Sequence, residues 1–104
     1  MAERATPLSY EFDPTAEVDY VDAVGFYEEE AGMGAAFEAE VRRAIDFILE
    51  NPEASPIVTR EGARKRVLHR FPFNLCYTIE SQRIRIWAVA HHKRRPGFWA
   101  ERLR

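Results

Sequence analysis

The chain has 104 residues and a formal net charge of -2, with 46% hydrophobic and 31% charged residues. This length fits one domain spanning residues 1–104, and this composition excludes a disordered chain. No apolar run approaches the roughly 18 to 20 residues of a bilayer span, and the N-terminus lacks the apolar core of a signal peptide, so we expect a cytoplasmic protein without membrane contact.

The first predicted elements are a strand and a helix. Residues 8–12 alternate apolar and polar side chains, which is typical of a strand. Asp13 and Pro14 then favour a helix start, because aspartate accepts from the first-turn amides and proline needs no N–H there. Residues 15–31 show helical spacing of apolar side chains, and we expect the acidic ones to face solvent. These acidic residues are Glu17, Asp19, Asp22, Glu28, Glu29 and Glu30.

A second helix follows a break at Gly32-Met33-Gly34 and ends at Asn51-Pro52. Its apolar stripe consists of Phe37, Val41, Ala44, Ile45, Ile48 and Leu49. Two helices joined by such a short loop are expected to pack antiparallel, with their stripes against a sheet. Residues 52–62 are predicted to form a surface loop.

Three predicted strands occupy residues 64–71, 73–80 and 83–91, with a turn at Pro72 and a hairpin at Ser81-Gln82. In the last strand, Ile84, Ile86, Ala88 and Ala90 alternate with Arg83, Arg85, Trp87, Val89 and His91. This pattern predicts one apolar face and one face carrying arginine, tryptophan and histidine.

The element order therefore predicts an α+β fold, β-α-α-β-β-β. We expect a mainly antiparallel four-stranded sheet with a helical hairpin on one face. The position of the first strand in the sheet stays open.

Charge divides the chain into two halves. Residues 1–53 carry 14 acidic and 3 basic side chains, and residues 54–104 carry 3 acidic and 12 basic ones, giving -11 and +9. The basic half is a candidate surface for phosphate or for an acidic protein partner. The alternative is that ion pairs between the halves neutralise each other.

Metal chemistry is not expected. The single cysteine, Cys76, lies in mid-strand and is interpreted as a packing residue. No His-x-x-x-His or Cys-x-x-Cys pattern supplies a ligand set, so we predict no metal and no cofactor.

Several short motifs occur in a characteristic order along nearly the whole chain. They are Phe12-Asp13-Pro14, Phe26-Tyr27-Glu28-Glu29, the glycines 32 and 34, Ile48-Leu49-Glu50-Asn51-Pro52, Arg70-Phe71-Pro72-Phe73 with Tyr77, and residues 88–99. In this ordered set the chain resembles the RelE/ParE superfamily of bacterial toxins, in particular the branch of plasmid stabilisation proteins.

The resemblance implies a toxin of a type II toxin-antitoxin system that a cognate antitoxin holds inactive. RelE-like members cleave messenger RNA on the ribosome without a metal, whereas ParE-like members poison DNA gyrase and are not enzymes. We favour the metal-independent endoribonuclease over the gyrase poison, and a degenerate member that retains only antitoxin binding is the third possibility.

Metal-free RNA cleavage requires proton transfer, phosphate stabilisation and a surface that holds the base. His91 and His92 are the candidates for proton exchange, and Arg94 and Arg95 for transition-state charge, so these four form the predicted catalytic set. The predicted RNA-binding set comprises Arg64, Lys65, Arg66, Arg70, Phe98 and Trp99, through phosphate contacts and base stacking.

Two further features bear on this interpretation. The tail carries Phe98 and Trp99 where RelE-like nucleases usually have a tyrosine, and a phenylalanine ring cannot exchange a proton. Arg83, Arg85 and Trp87 are expected on one open sheet face, where an aromatic ring among arginines is typical of a protein-covered surface. We therefore assign these three residues to antitoxin binding.

Overall fold

A computed structural model of the chain describes residues 9–95 and 97–104. The elements are β1 (Ser9–Phe12), α1 (Pro14–Ala31), α2 (Gly34–Glu50), β2 (Arg64–Val67), β3 (Phe73–Glu80), β4 (Arg83–His91) and a short 3-10 helix (Ala100–Leu103). The predicted α+β fold is thus confirmed, while Leu8, expected in the first strand, lies outside the described residues. None of the described helices has the length and apolar character to cross a membrane.

The ends of α1 follow from local chemistry. The Asp13 carboxylate caps the helix by accepting the Thr15 N–H at 3.2 Å, next to Pro14 at the first helical position. Gly32 ends the helix in the left-handed conformation with φ of 64°, and its N–H donates to Glu28 O. Glycine adopts this conformation without a Cβ penalty, so the predicted break between the helices is confirmed.

The main core lies between the helical hairpin and one face of the sheet, which we call the helix side. The α2 stripe contributes buried Phe37, Val41, Ala44, Ile45 and Ile48 to it. Phe37 is stacked on Tyr27 at 5.3 Å and meets Phe73 edge-on at 5.1 Å. Helix α2 is therefore held by aromatic contacts to both α1 and β3.

The strand order in the sheet is β1-β4-β3-β2. β2–β3 and β3–β4 are antiparallel, whereas β1 pairs in parallel with the first part of β4. The sheet is therefore mixed. Helices α1 and α2 carry the chain from β1 at one edge of the sheet to β2 at the opposite edge. β2 is also shorter than predicted, since residues 68–71 leave the sheet and place Leu68 and Phe71 in the main core.

A β-bulge corrects the predicted faces of β4. Tyr77 pairs with Ile86 and Cys76 pairs with Ala88, so Trp87 is the extra residue. Because one extra residue reverses the alternation, Ile84 and Ile86 face the helix side but Ala88 and Ala90 do not. The prediction that these four residues share one face was wrong. The prediction that His91 shares the face of Arg83, Arg85 and Trp87 was also wrong, because the bulge turns His91 toward Phe73 on the helix side.

A second core fills the opposite face of the sheet, which we call the tail side. It consists of Ala63, Cys76, Ala88, Ala90 and Trp99, with Trp87, Phe98 and Leu103 at its margin. The segment after β4 folds back over this face, so both faces of the sheet bury apolar side chains.

Candidate functional site

All four predicted catalytic residues line an open cleft of about 380 Å³ at one end of the tail side. We call it the basic cleft. Its lining residues are Val58, Lys65, Val67, Asn74, Ala90, His91, His92, Arg94, Arg95, Gly97, Phe98 and Trp99. None of them is acidic, so every charged group that lines the cleft is a cation or a titratable imidazole.

Strand alternation and a tight turn build this cleft. Lys65 and Val67 lie opposite Cys76 and Asn74 on β3, which places all four on the tail side. After β4, the Arg94 N–H donates to His91 O at 3.1 Å and the Phe98 N–H donates to Arg95 O at 3.1 Å. These two turns bring the Arg94 and Arg95 segment against the strands.

The two histidines have different surroundings. His91 Nδ1 accepts the Lys93 N–H at 2.9 Å, and its ring meets Phe73 edge-on at 4.9 Å. Burial, followed by the nearby Lys93 and His92 charges, lowers the pKa of His91. Both features favour the neutral form of His91, in which Nδ1 is occupied as an acceptor. His92 is exposed and contacts Asn74 Oδ1 through Nε2 at 3.0 Å.

Aromatic rings of the tail are committed to contacts within the chain. The Arg94 guanidinium lies 3.8 Å from the Phe98 ring centroid, in a cation–π arrangement. Trp99 is only 5% exposed because it closes the second core over Cys76. The Trp99 ring is thus a structural contact, and its predicted stacking on a base is not available in this arrangement.

The other predicted RNA-binding arginines lie away from the cleft. Arg64 donates to the carbonyl oxygens of Glu53 and Ser55 at 2.9 and 2.7 Å, which fixes the loop before β2. Arg66 lies 3.7 Å from the Phe47 ring centroid on the helix side, and Arg70 is exposed in the turn after β2. Of the basic residues in this region, only Lys65 lines the cleft.

The predicted antitoxin-binding residues do share the tail side, at the other end of β4. Arg83 and Arg85 form salt bridges with Glu80 at 3.2 and 3.1 Å. The Trp87 indole N–H donates to Thr78 Oγ1 at 2.9 Å. Arg83, Arg85 and Trp87 therefore form a surface separate from the basic cleft.

Two acidic residues that bind backbone N–H groups inside the fold were missed by sequence reasoning: the partly buried Asp19 and the buried Glu40. Asp19, expected to face solvent, accepts the Val89 N–H at 3.1 Å and Arg102 Nη1 at 2.8 Å. Arg102 also donates to Trp87 O at 3.0 Å. β1 ends before this part of β4, so Asp19 and Arg102 satisfy strand groups that β1 does not reach.

The other such acid is the buried Glu40, which accepts hydrogen bonds from the His69 N–H at 3.0 Å and from Arg43 Nη2 at 2.7 Å. The Arg43 hydrogen bond is the main cause of a lowered pKa for Glu40. The sequence offered little indication that Glu40 is buried, because a glutamate beside an apolar stripe is usually a surface residue.

Comparison with known families decides the ancestry. A family model described as "ParE toxin of type II toxin-antitoxin system, parDE" matches residues 10–96. The chain belongs to the ParE toxin family. It is accordingly a toxin-family member within the RelE/ParE superfamily, as the ordered motifs implied.

A solved structure gives the same fold for this ParE-family chain. It is titled "Chromosomal ParDE TA system from P. aeruginosa" and superposes with a TM-score of 0.67 at 19% identity. The alignment covers 81% of this chain and 95% of that chain. At this identity the likeness concerns the fold alone. No curated protein matches the chain.

Proposed function

We propose that this ParE-family toxin inhibits growth by binding DNA gyrase and that a cognate antitoxin holds it inactive. The family match over residues 10–96 supports the toxin-antitoxin role, and the related structure is itself titled as a ParDE system. The sequence analysis favoured mRNA cleavage on the ribosome, but the chemistry of the basic cleft supports the non-enzymatic alternative.

The supporting observation is how few groups in the cleft can exchange protons. Among the described residues that line the cleft, His91 and His92 are the only imidazoles. His91 already uses Nδ1 to accept the Lys93 N–H, and its lowered pKa disfavours the protonated form, so its basic nitrogen is not free to take a proton. Cleavage of RNA needs both a general base and a general acid, so His92 would have to fill both roles.

The predicted RNA-binding residues also lie on different parts of the molecule. Arg64 and Arg66 lie on the helix side, and Trp99 is buried, so three of the six predicted RNA-binding residues do not line an open surface beside Lys65. A toxin that binds a protein does not require these groups to converge on one phosphate.

A metal-independent endoribonuclease remains the second candidate. It is favoured by the presence of His92, Arg94, Arg95 and Lys65 in one cleft whose described lining residues include no carboxylate. His92 contacts Asn74 through Nε2, so Nδ1 is the nitrogen that would act as the base, and two arginines are suited to a developing phosphate charge.

Arg83, Arg85 and Trp87 are proposed to contact the antitoxin. Trp87 is partly exposed, and the Arg85 guanidinium lies 5.4 Å from its ring centroid. A partly exposed aromatic ring beside an arginine is the kind of surface that protein interfaces cover.

Induction of the chain without its antitoxin tests the proposal. Gyrase poisoning predicts double-strand DNA breaks and an SOS response with uncut transcripts, and the purified chain should inhibit gyrase supercoiling. His92→Ala and Arg94→Ala separate the candidates. A nuclease would lose both toxicity and transcript cleavage in these two variants, whereas a gyrase poison would leave transcripts uncut in the wild type and in both variants. Cut transcripts without DNA breaks would refute the gyrase proposal. Unchanged growth would favour a degenerate member that only binds antitoxin.

A further inference from the structure

Aliphatic side chains are exposed next to the basic cleft. Ile57 and Val58, in the loop before β2, are 56% and 43% exposed, and Val67 at the end of β2 is 47% exposed. Val58 and Val67 also line the cleft. The cleft therefore combines an aliphatic wall with a cationic one.

The outer edge of β2 is only partly paired. The Val58 N–H donates to Ala63 O at 2.7 Å and the Lys65 N–H donates to Pro56 O at 3.1 Å, so the loop covers the first part of the edge. Antiparallel strands turn alternate residues outward, which places the Val67 N–H on the same outer edge as that of Lys65. Within residues 9–95 and 97–104, this N–H meets no hydrogen-bond acceptor.

The cations beside this edge lack carboxylate partners. Lys65, Arg94 and Arg95 form no salt bridge within the described part of the chain, whereas Arg83, Arg85 and Arg102 all do. This difference gives the cleft a net positive potential that an anionic partner would complement.

We propose that the open end of β2 and the basic cleft bind an extended acidic segment of a partner protein. Its backbone would add to the β2 edge at Val67, its carboxylates would pair with Lys65 and Arg95, and its aliphatic side chains would cover Val58 and Val67. The inference depends on the chemistry of the cleft and stands whether or not gyrase is the target.

A peptide fits better than a nucleic acid for two reasons. Bases bind by stacking on exposed rings, but Trp99 is buried and the Phe98 ring is occupied by Arg94. Aliphatic side chains and an unpaired strand edge are instead the features that recognise an extended peptide.

The test uses the purified full-length chain and a fluorescein-labelled eight-residue peptide of alternating glutamate and valine. A lysine–valine repeat and a ten-nucleotide oligo(dT) of the same label are the comparison probes. We expect saturable anisotropy binding of the acidic peptide alone, weakened by salt, together with slower hydrogen exchange of the Val67 amide in the complex.

Variants locate the binding. Arg95→Glu is expected to weaken the acidic peptide by about tenfold or more, as for charge pairs at interfaces. Val67→Pro removes the outward N–H without disturbing the ladder to β3 and should weaken it by several-fold. Arg42→Glu is the matched control, since it makes the same charge change at an exposed position of α2 outside the cleft.

Three results would overturn the proposal. Oligo(dT) binding without peptide binding would make the cleft a nucleic-acid site. Equal loss of affinity in Arg95→Glu and Arg42→Glu would mean attraction by net charge alone. Sedimentation showing a dimer that Val67→Pro dissociates would make a second copy of the chain the occupant.

Discussion

Trp99→Ala tests whether the tail is held by the second core. The side chain is 5% exposed and packs on Cys76, Ala88 and Ala90. A tryptophan buries about 200 Å² of side chain, which at about 25 cal/mol per Å² corresponds to about 5 kcal/mol. The unfolded chain already hides part of that area, so we expect a loss of about 3–5 kcal/mol in the free energy of unfolding.

Urea denaturation measures the total loss, and the reactivity of the Cys76 thiol with a disulfide reagent measures local opening. Cys76 is 0% exposed, and burial raises its pKa to about 12, so it should be nearly inert in the wild type. Lifting the tail exposes the thiol and restores an ordinary pKa, so Trp99→Ala should react far faster.

Phe37→Leu is the matched control, because it weakens the main core on the other face of the sheet. It lowers global stability without loosening the tail, so the Cys76 thiol should react in proportion to global unfolding alone. A loss of less than about 1 kcal/mol in Trp99→Ala, a typical surface effect, would mean that Trp99 does not hold the tail. The same conclusion would follow if Cys76 reacted no faster in Trp99→Ala than in a Phe37→Leu variant of equal stability.

The remaining predictions concern buried and partly buried polar groups that make hydrogen bonds within the chain. Asp19→Ala leaves the Val89 N–H without its acceptor and should cost about 1–3 kcal/mol in urea denaturation, whereas Asp22→Ala, an acid without such a bond, should cost little. Glu40→Gln should lower the free energy of unfolding by a similar amount at neutral pH. Because the pKa of Glu40 is lowered in the folded state, its carboxylate stabilises the wild type above that pKa, and this stabilisation is lost as pH falls through it. The free energies of unfolding of the two proteins should therefore converge in acid. His91 has a lowered pKa when folded, so the unfolded state binds more protons and wild-type stability should fall as pH drops below about 6.5; His91→Gln should lack this decline in thermal melts.

Each of these three predictions would be contradicted by a different result. Equal losses in the Asp19 and Asp22 variants would remove the assigned hydrogen bond as the cause. A constant difference between Glu40→Gln and wild type down to pH 3 would contradict the ionised buried carboxylate. An unchanged pH dependence in His91→Gln would place the proton uptake on another group.

The sequence predicted the fold well because its signals were local. Asp13 and Gly32 marked the ends of α1 by capping and backbone conformation, and apolar spacing marked both helices and the hairpin. The parallel pairing of β1 was beyond such reasoning, since it depends on where two helices return the chain. The contact between Asp19 and Arg102 joins residues far apart in sequence, so their charges appeared to belong to a solvated surface.

The faces of β4 were misread because the bulge leaves the sequence pattern intact. Ala88 and Ala90 continue the spacing of Ile84 and Ile86, so period-two reading places all four together. Val89 was the available signal, since a β-branched apolar residue was assigned to the polar face. In the structure Val89 is 3% exposed in the main core.

The bulge at Trp87 explains both the second core and the basic cleft. By moving Ala88 and Ala90 to the tail side, it creates an apolar face made of small side chains, with Cys76 and Ala63 beside them. Small residues leave room for a large ring, which is the space that Trp99 fills. Docking of Trp99 then holds Arg94 and Arg95 against β2, so a single extra residue in β4 places the cations where an acidic partner can reach them.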